Sequence, residues 1–136
     1  VYEHTTKPFV ASHSNARALC PHQRNLTDEM LHMLGERGGV SGLNLFPNFL
    51  TTDPKHTETP LLEIAAGHIV QMMNAGGSGC VGLGSDFDGF HGESQPKDAS
   101  AMQDLVWVLH KKHVSDDKID GILYQNVSRV YRELLH

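Results

Sequence analysis

Apolar positions gather into three short runs, each followed by a polar stretch and then by a segment with helical spacing. The first run, Pro8-Phe9-Val10-Ala11, has the length of a strand and stops at Ser12-His13-Ser14-Asn15. The next segment predicts a helix after Thr27. That threonine can cap it, Asp28 and Glu29 supply negative charge to its first turn, and Leu26 and Leu31 stand at staple positions. Gly38-Gly39 closes the segment. The second run covers residues 40–46 and gives way to a polar stretch over 47–59. A helix is expected there with Thr59 as N-cap and Pro60 in its first position; its apolar stripe is Leu61, Leu62, Ala65, Ile69, Met72 and Met73. The third run, residues 80–84, ends in Ser85-Asp86-Phe87-Asp88-Gly89, and a polar loop continues to about Ala99. Met102, Leu105, Val106 and Leu109 then mark a helix. Ser115 is placed to cap a short one through Ile119 and Ile122, and Val127, Val130, Tyr131 and Leu134 mark a last amphipathic helix.

Strands alternating with helices predict an α/β fold with a parallel sheet and right-handed crossovers. The three predicted strands deliver His13, Asn44 and Asp86 at their C-terminal ends. Chemistry sits at that edge in parallel α/β folds, above all in (β/α)8 barrels. Three units are part of such a barrel, which in full runs to roughly 250 residues; this chain has 136.

Composition narrows the function classes. Apolar residues make up 39% and charged residues 20%, the mixture of a soluble globular chain. The formal charge of −5 speaks against a nucleic-acid binder. No apolar run approaches the roughly 18 residues of a membrane helix. Cys20 and Cys80 are too few for a disulfide scaffold. Ten histidines are many for this length, and histidine is the commonest metal ligand. The first residue is Val1, with no basic or apolar leader after it, and the sequence reads as cut from something longer.

Several motifs fail on context. Residues 77–82 spell GxGxxG, but they follow a helix and enter a strand, the reverse of a dinucleotide site. Asp86-Phe87-Asp88-Gly89 begins like a calcium loop, yet its glycine comes too early and position 12 is Lys97. Asn25-Leu26-Thr27 and Asn126-Val127-Ser128 are glycosylation sequons of a kind common by chance. His110 and His113 flank Lys111 and Lys112, which suggests an exposed face. Two motifs survive. In Ser12-His13-Ser14-Asn15, followed by Arg24-Asn25, a histidine at a strand end can bind metal or merely complete a hydrogen-bonded rim. In Gly82-Leu83-Gly84-Ser85-Asp86-Phe87-Asp88-Gly89, the glycines permit close backbone approach. The carboxylate at that strand tip suits either a proton-transferring group or a turn stabilised by Asp.

Taken together, SHSN…RN, then GGVSGLN, then GLGSDFDG resemble the renal (membrane) dipeptidases, the M19 zinc peptidases of the amidohydrolase superfamily. The resemblance spans the chain and covers the C-terminal portion of such an enzyme, about three βα units of a (β/α)8 TIM-type barrel. It implies that residues 1–136 are the C-terminal part of one barrel domain whose N-terminal part is absent. It implies two zinc ions in the complete enzyme, bridged by a glutamate and a water. His13 matches the second of two histidines holding one ion. Arg24 matches the arginine that grips the C-terminal carboxylate of the dipeptide substrate, and Phe46 a bulky residue lining the pocket. Asp86 matches the aspartate that passes a proton from the attacking water to the leaving amine. Asn44 and Asp88 lie close by with roles left open. His68 matches a family histidine and is read as structural, supporting the site rather than ligating.

No His-x-Asp pair is present, and the other ligands should lie upstream of Val1. A catalytic zinc normally needs about three protein ligands. The chain alone is therefore expected neither to hold a dinuclear centre nor to hydrolyse peptides. One competing reading is a non-catalytic fragment, or a subunit that completes a barrel by association through exposed edges, as in a homo-oligomer. The other is a different amidohydrolase such as a deaminase or lactonase, which the Arg24 match disfavours. The last residues carry no apolar anchor signal, and with two cysteines this favours a cytoplasmic bacterial form over an anchored one.

Overall fold

The computed structural model describes residues 1–87, 89, 98–99 and 102–135. Asp88 falls outside the described residues. The three runs form strands β1 (Val10–Ala11), β2 (Val40–Leu43) and β3 (Val81–Leu83). They pair in parallel in sequence order, with Val10 opposite Val40, Ser41 opposite Val81 and Leu43 opposite Leu83. Each parallel step needs a crossover, and helices provide it: α1 (Asp28–Glu36) between β1 and β2, then α2 (Pro47–Leu50) and α3 (Leu61–Gly76) between β2 and β3. Helices α4 (Met102–Lys111), α5 (Asp116–Asp120) and α6 (Asn126–Leu135) complete the chain.

The core lies between the sheet and the crossover helices. Leu31 of α1, Leu43 of β2, Ala65, Ile69 and Met72 of α3, Val81 of β3 and Leu105 and Leu109 of α4 are all fully buried. The stripe read from helical spacing is thus the stripe that packs. Helix α1 begins where its residues dictate, with Thr27 Oγ1 accepting from the Met30 N–H at 3.2 Å.

Three elements differ from the sequence expectation. Helix α3 starts one residue late, because Pro60 takes an extended ψ of 135° and its carbonyl accepts from the Glu63 and Ile64 N–H groups. Proline there is the cap, and Thr59 lies outside the helix. The polar stretch after β2 contains a single helical turn, α2, opened by Pro47 and closed by Thr51 N–H donating to Pro47 O at 3.0 Å. Finally, the last two helices form one helical run, joined by a π turn over Gly121–Gln125.

That run closes the N-terminal end of the sheet. The Arg129 guanidinium donates to Gly38 O at 2.7 Å and Gly79 O at 2.9 Å, in the turns that lead into β2 and β3. The Asn126 amide donates to Ser78 O and Val81 O, both at 2.9 Å. Both sequon asparagines are consequently engaged: Asn126 here, and Asn25, 1% exposed, in the loop before α1. The GxGxxG stretch is a helix end, a tight turn and the entry to β3.

At the other end the chain leaves the sheet to build a rim. After β1 it arches over the sheet at Ser12-His13 and rejoins it, Ser14 N–H donating to Gly42 O at 2.8 Å. A Cβ on Gly42 or on Gly84 would collide with the Ser12 carbonyl oxygen. The glycines of the GLN and GLGSD motifs therefore admit a neighbouring backbone segment, and only residues without side chains let the arch lie so low.

Candidate active site

The rim is made by the segments just beyond the C-terminal ends of the three strands. Beyond β1 the chain runs through a loop that returns on itself: Arg17 N–H donates to Leu26 O and Leu26 N–H to Asn15 O, both at 2.8 Å. This return carries Arg24 back beside the strand end. There its guanidinium donates to His13 Nε2 at 3.1 Å. Arginine has no acceptor, so Nε2 carries the lone pair and Nδ1 the proton, which is shared with Ser12 Oγ at 2.7 Å. Arg24 thus fixes the tautomer, with the Nε2 lone pair facing the guanidinium, and the Ser12 hydroxyl, able to donate or accept, follows it.

Beyond β2 stands Asn44, fully buried. Its backbone is held by the side chain of Asn15, whose Oδ1 accepts from Asn44 N–H at 2.7 Å and whose Nδ2 donates to Asn44 O at 2.8 Å. One side-chain amide thereby replaces a neighbouring strand where the ladder has ended. Asn15 is in turn fixed by Asn25, whose Oδ1 accepts from Asn15 N–H at 3.2 Å. Each of these groups is buried, and an orphaned one would cost about 1–3 kcal/mol. Among the described residues no buried side-chain polar atom lacks a partner.

Beyond β3, Asp86 is half-buried and adopts a left-handed backbone, φ 61°. Aspartate tolerates that conformation better than most residues. Its Oδ2 accepts from Asn44 Nδ2 at 3.3 Å, and its carbonyl accepts from Gly89 N–H at 2.9 Å. Phe46 caps α2 and meets Phe49 edge-on, ring centroids 4.9 Å apart. Phe49 also lies against His22 at 4.5 Å and under the Arg24 guanidinium at 5.8 Å.

The expected residues therefore meet as two bonded pairs, His13 with Arg24 and Asn44 with Asp86, on adjacent strand ends, with Phe46 tied to Arg24 through Phe49. His68 lies apart from them on α3, fully buried. Its Nδ1 accepts from Ala16 N–H at 3.1 Å, so Nε2–H donates to Leu50 O at 2.8 Å. Both ring nitrogens are spent on backbone, and none is left for a metal. Sequence reasoning quoted Ser12, Asn15 and Asn25 inside motifs without giving them work, and passed over Phe49. Its spacing three residues from Phe46 was the available signal.

As a metal site the rim is incomplete. Among the described residues no group of three or more His, Cys, Asp or Glu side chains is placed to hold an ion. The donors here do not by themselves fit a zinc centre.

Comparison with known proteins decides the family. The membrane dipeptidase (peptidase family M19) model matches residues 1–135. The chain belongs to the membrane dipeptidase family. Dipeptidase aclJ of Aspergillus oryzae is 39% identical over 137 residues, covering 100% of this chain and 32% of that protein. A Klebsiella pneumoniae protein described as uncharacterized, from the pqqA 5′ region, is 39% identical over 96% of this chain and 48% of its own length. Among solved structures, a metallopeptidase from Rhodobacter sphaeroides bound to a phosphinate mimic of the dipeptide L-Ala-D-Ala superposes with a TM-score of 0.86. It is 29% identical, and the match covers 97% of this chain and 38% of that one. The chain thus spans a third to a half of the length of these relatives, and its fold matches a segment of the Rhodobacter metallopeptidase and of a dipeptidase of family M19, again with a TM-score of 0.86.

The buried histidine makes a stability prediction for this M19 chain. Burial lowers the His68 pKa below its ordinary 6.5, with the Leu50 hydrogen bond opposing. Protons then bind the unfolded chain more readily than the folded one, so this contribution is complete above the unfolded pKa. It is lost as pH falls from about 6.5 towards the lower folded value, by at most roughly 1.4 kcal/mol per pH unit. Urea titrations at pH 7.5 and 5.5 should show the loss in the wild type and a smaller one in His68→Gln. Equal losses in the two proteins would remove His68 as the source.

Proposed function

We propose that this chain supplies the substrate-gripping and proton-transfer side of a zinc dipeptidase active site, on the last part of a (β/α)8 barrel domain. The observation that carries this reading is the convergence of His13, Arg24, Asn44 and Asp86 on one rim of a parallel sheet, in the order of the family's motifs. The Arg24 guanidinium is a planar fork suited to the free carboxylate of a dipeptide. It is exposed and, among the described residues, held by His13 and the Phe49 face, so it can turn towards a ligand. Phe49 and Phe46 form an apolar wall beside it.

The reaction is amide hydrolysis. Water adds to the scissile carbonyl carbon and gives a proton to the Asp86 carboxylate. As the C–N bond breaks, Asp86 returns that proton to the leaving nitrogen, yielding two amino acids. Arg24 fixes the substrate's end and so converts binding into alignment. His13 Nε2 is the donor this chain would offer to the zinc pair that the family resemblance implies, and the remaining ligands would have to come from outside the described residues. The phosphinate mimic of a dipeptide bound to the Rhodobacter relative supports this substrate class.

A second reading concerns association. Val10 on the outer strand β1 is 41% exposed. Beside it runs an apolar groove of about 330 Å³, lined by Tyr2, Phe9, Met30, Met33 and Leu34. An open strand edge beside apolar surface favours pairing with another chain, including a second copy.

Three measurements test these proposals. Purified as 136 residues, the chain should bind less than stoichiometric zinc and leave dipeptides intact; one zinc or more per chain with turnover overturns its dependence on further ligands. In the complete enzyme, Arg24→Lys should weaken dipeptides with a free carboxylate by about tenfold or more. Equal loss on C-terminally blocked substrates removes that role. Light scattering should find dimers or larger species of the isolated chain, and a monodisperse monomer counts against edge pairing.

A further inference from the structure

We propose that Asn44 is the positioning residue for the Asp86 carboxylate: its amide holds Oδ2 and so fixes the orientation of the group that exchanges a proton with the substrate. The proposal rests on the dipeptidase reading above and adds to it a role for a residue the family motifs leave unexplained.

Three features of the rim support it. The orientation of the Asn44 amide is forced. Its Oδ1 accepts from Phe46 N–H at 2.7 Å, so the Nδ2 donor faces Asp86. The amide cannot swing away, because Asn44 is fully buried and both backbone polar groups are gripped by Asn15. Finally, the two carboxylate oxygens have different surroundings. Oδ2 faces Asn44, whereas a Cβ at position 89 would collide with Oδ1. Glycine at 89 lets Oδ1 lie in the space a side chain would take, so the carboxylate is bounded on both sides.

The linkage reaches further back. Asn25 holds Asn15, Asn15 holds Asn44, and Asn44 holds Asp86. Asn25 is the immediate neighbour of Arg24. A chain of buried amides therefore connects the loop that grips the substrate to the group that moves the proton. A reacting group misplaced by about 1 Å can lose on the order of 10²-fold in rate. Asn44 is the last member of this chain and touches the carboxylate directly.

The variant that isolates the contact is Asn44→Asp. It keeps the volume and the oxygen that accepts from Phe46, and replaces the donor facing Asp86 with a second carboxyl group, turning an attraction into a like-charge contact. In the complete dipeptidase we expect kcat to fall by about 10²-fold with KM changed by less than about threefold, because the substrate is held elsewhere. Asp86→Asn, measured alongside, separates the two levels of the argument. If Asp86→Asn is inactive while Asn44→Asp keeps its kcat, the positioning role is wrong and the dipeptidase reading stands. If Asp86→Asn stays active, the reading itself fails. Should Asn44→Asp not fold, nuclear magnetic resonance of the 136-residue chain decides instead. The Asn44 side-chain NH₂ protons should shift upfield and exchange at least about tenfold faster in Asp86→Ala. Signals that do not respond to Asp86→Ala would overturn the proposal.

Discussion

A parallel sheet that presents chemistry at its strand ends must stop pairing there, and stopping leaves backbone N–H and C=O groups without partners. Here the gap is filled by the side chain of Asn15, which meets the backbone of Asn44 as a neighbouring strand would. The magnitudes show why this matters more than the other polar contacts at the rim. A buried group that loses its partner costs about 1–3 kcal/mol, whereas an exposed polar pair contributes little. Asn15, Asn25 and Asn44 are at most 1% exposed. Without that substitute strand, β2 would fray just where Asn44 has to face Asp86.

The two ends of the sheet divide the work. At the N-terminal end, Arg129 and Asn126 tie the turns before β2 and β3 to the last helix, and Val127 sits against Gly82. Those contacts hold structure. At the C-terminal end, Gly42 and Gly84 remove side chains so that the Ser12-His13 arch can lie across the sheet. The space given up there brings an imidazole over the strand ends. His68 belongs to the structural group although it lies near the rim. It bridges Ala16 and Leu50, joining the loop after β1 to the turn after β2.

Much of this was legible in the sequence because short-range physics controls it. Thr27 caps its helix through a contact three residues away, and the apolar stripe of α3 packs as its spacing requires. Errors came where one residue's backbone preference overrode the pattern. Pro60 is extended rather than helical, Pro47 opens a helical turn in a stretch read as loop, and the π turn before Asn126 joins two expected helices. At the rim, His13, Arg24 and Asp86 drew notice in the sequence because their side chains carry chemistry, and the structure puts them at the strand ends. The work of Asn15 was not, since its partner is the backbone of a residue 29 positions away. Nothing in local spacing encodes such a contact, and an asparagine after a strand reads first as a turn residue.

The rim is graded in stiffness, and the grading fits the proposed division of labour. A group that moves a proton needs one geometry, whereas a group that grips a substrate has to yield to it. Asp86 leans on an asparagine that is itself locked on three sides. Arg24 is exposed and leans on His13 and an aromatic face, contacts that a carboxylate can outcompete with a charge-assisted fork. His13 Nε2 then loses its hydrogen-bond donor as Arg24 turns away, so one movement of the guanidinium would both receive the ligand and uncover the imidazole. Rigidity and freedom thus follow burial: asparagines inside, arginine outside, with the histidine at the boundary between them.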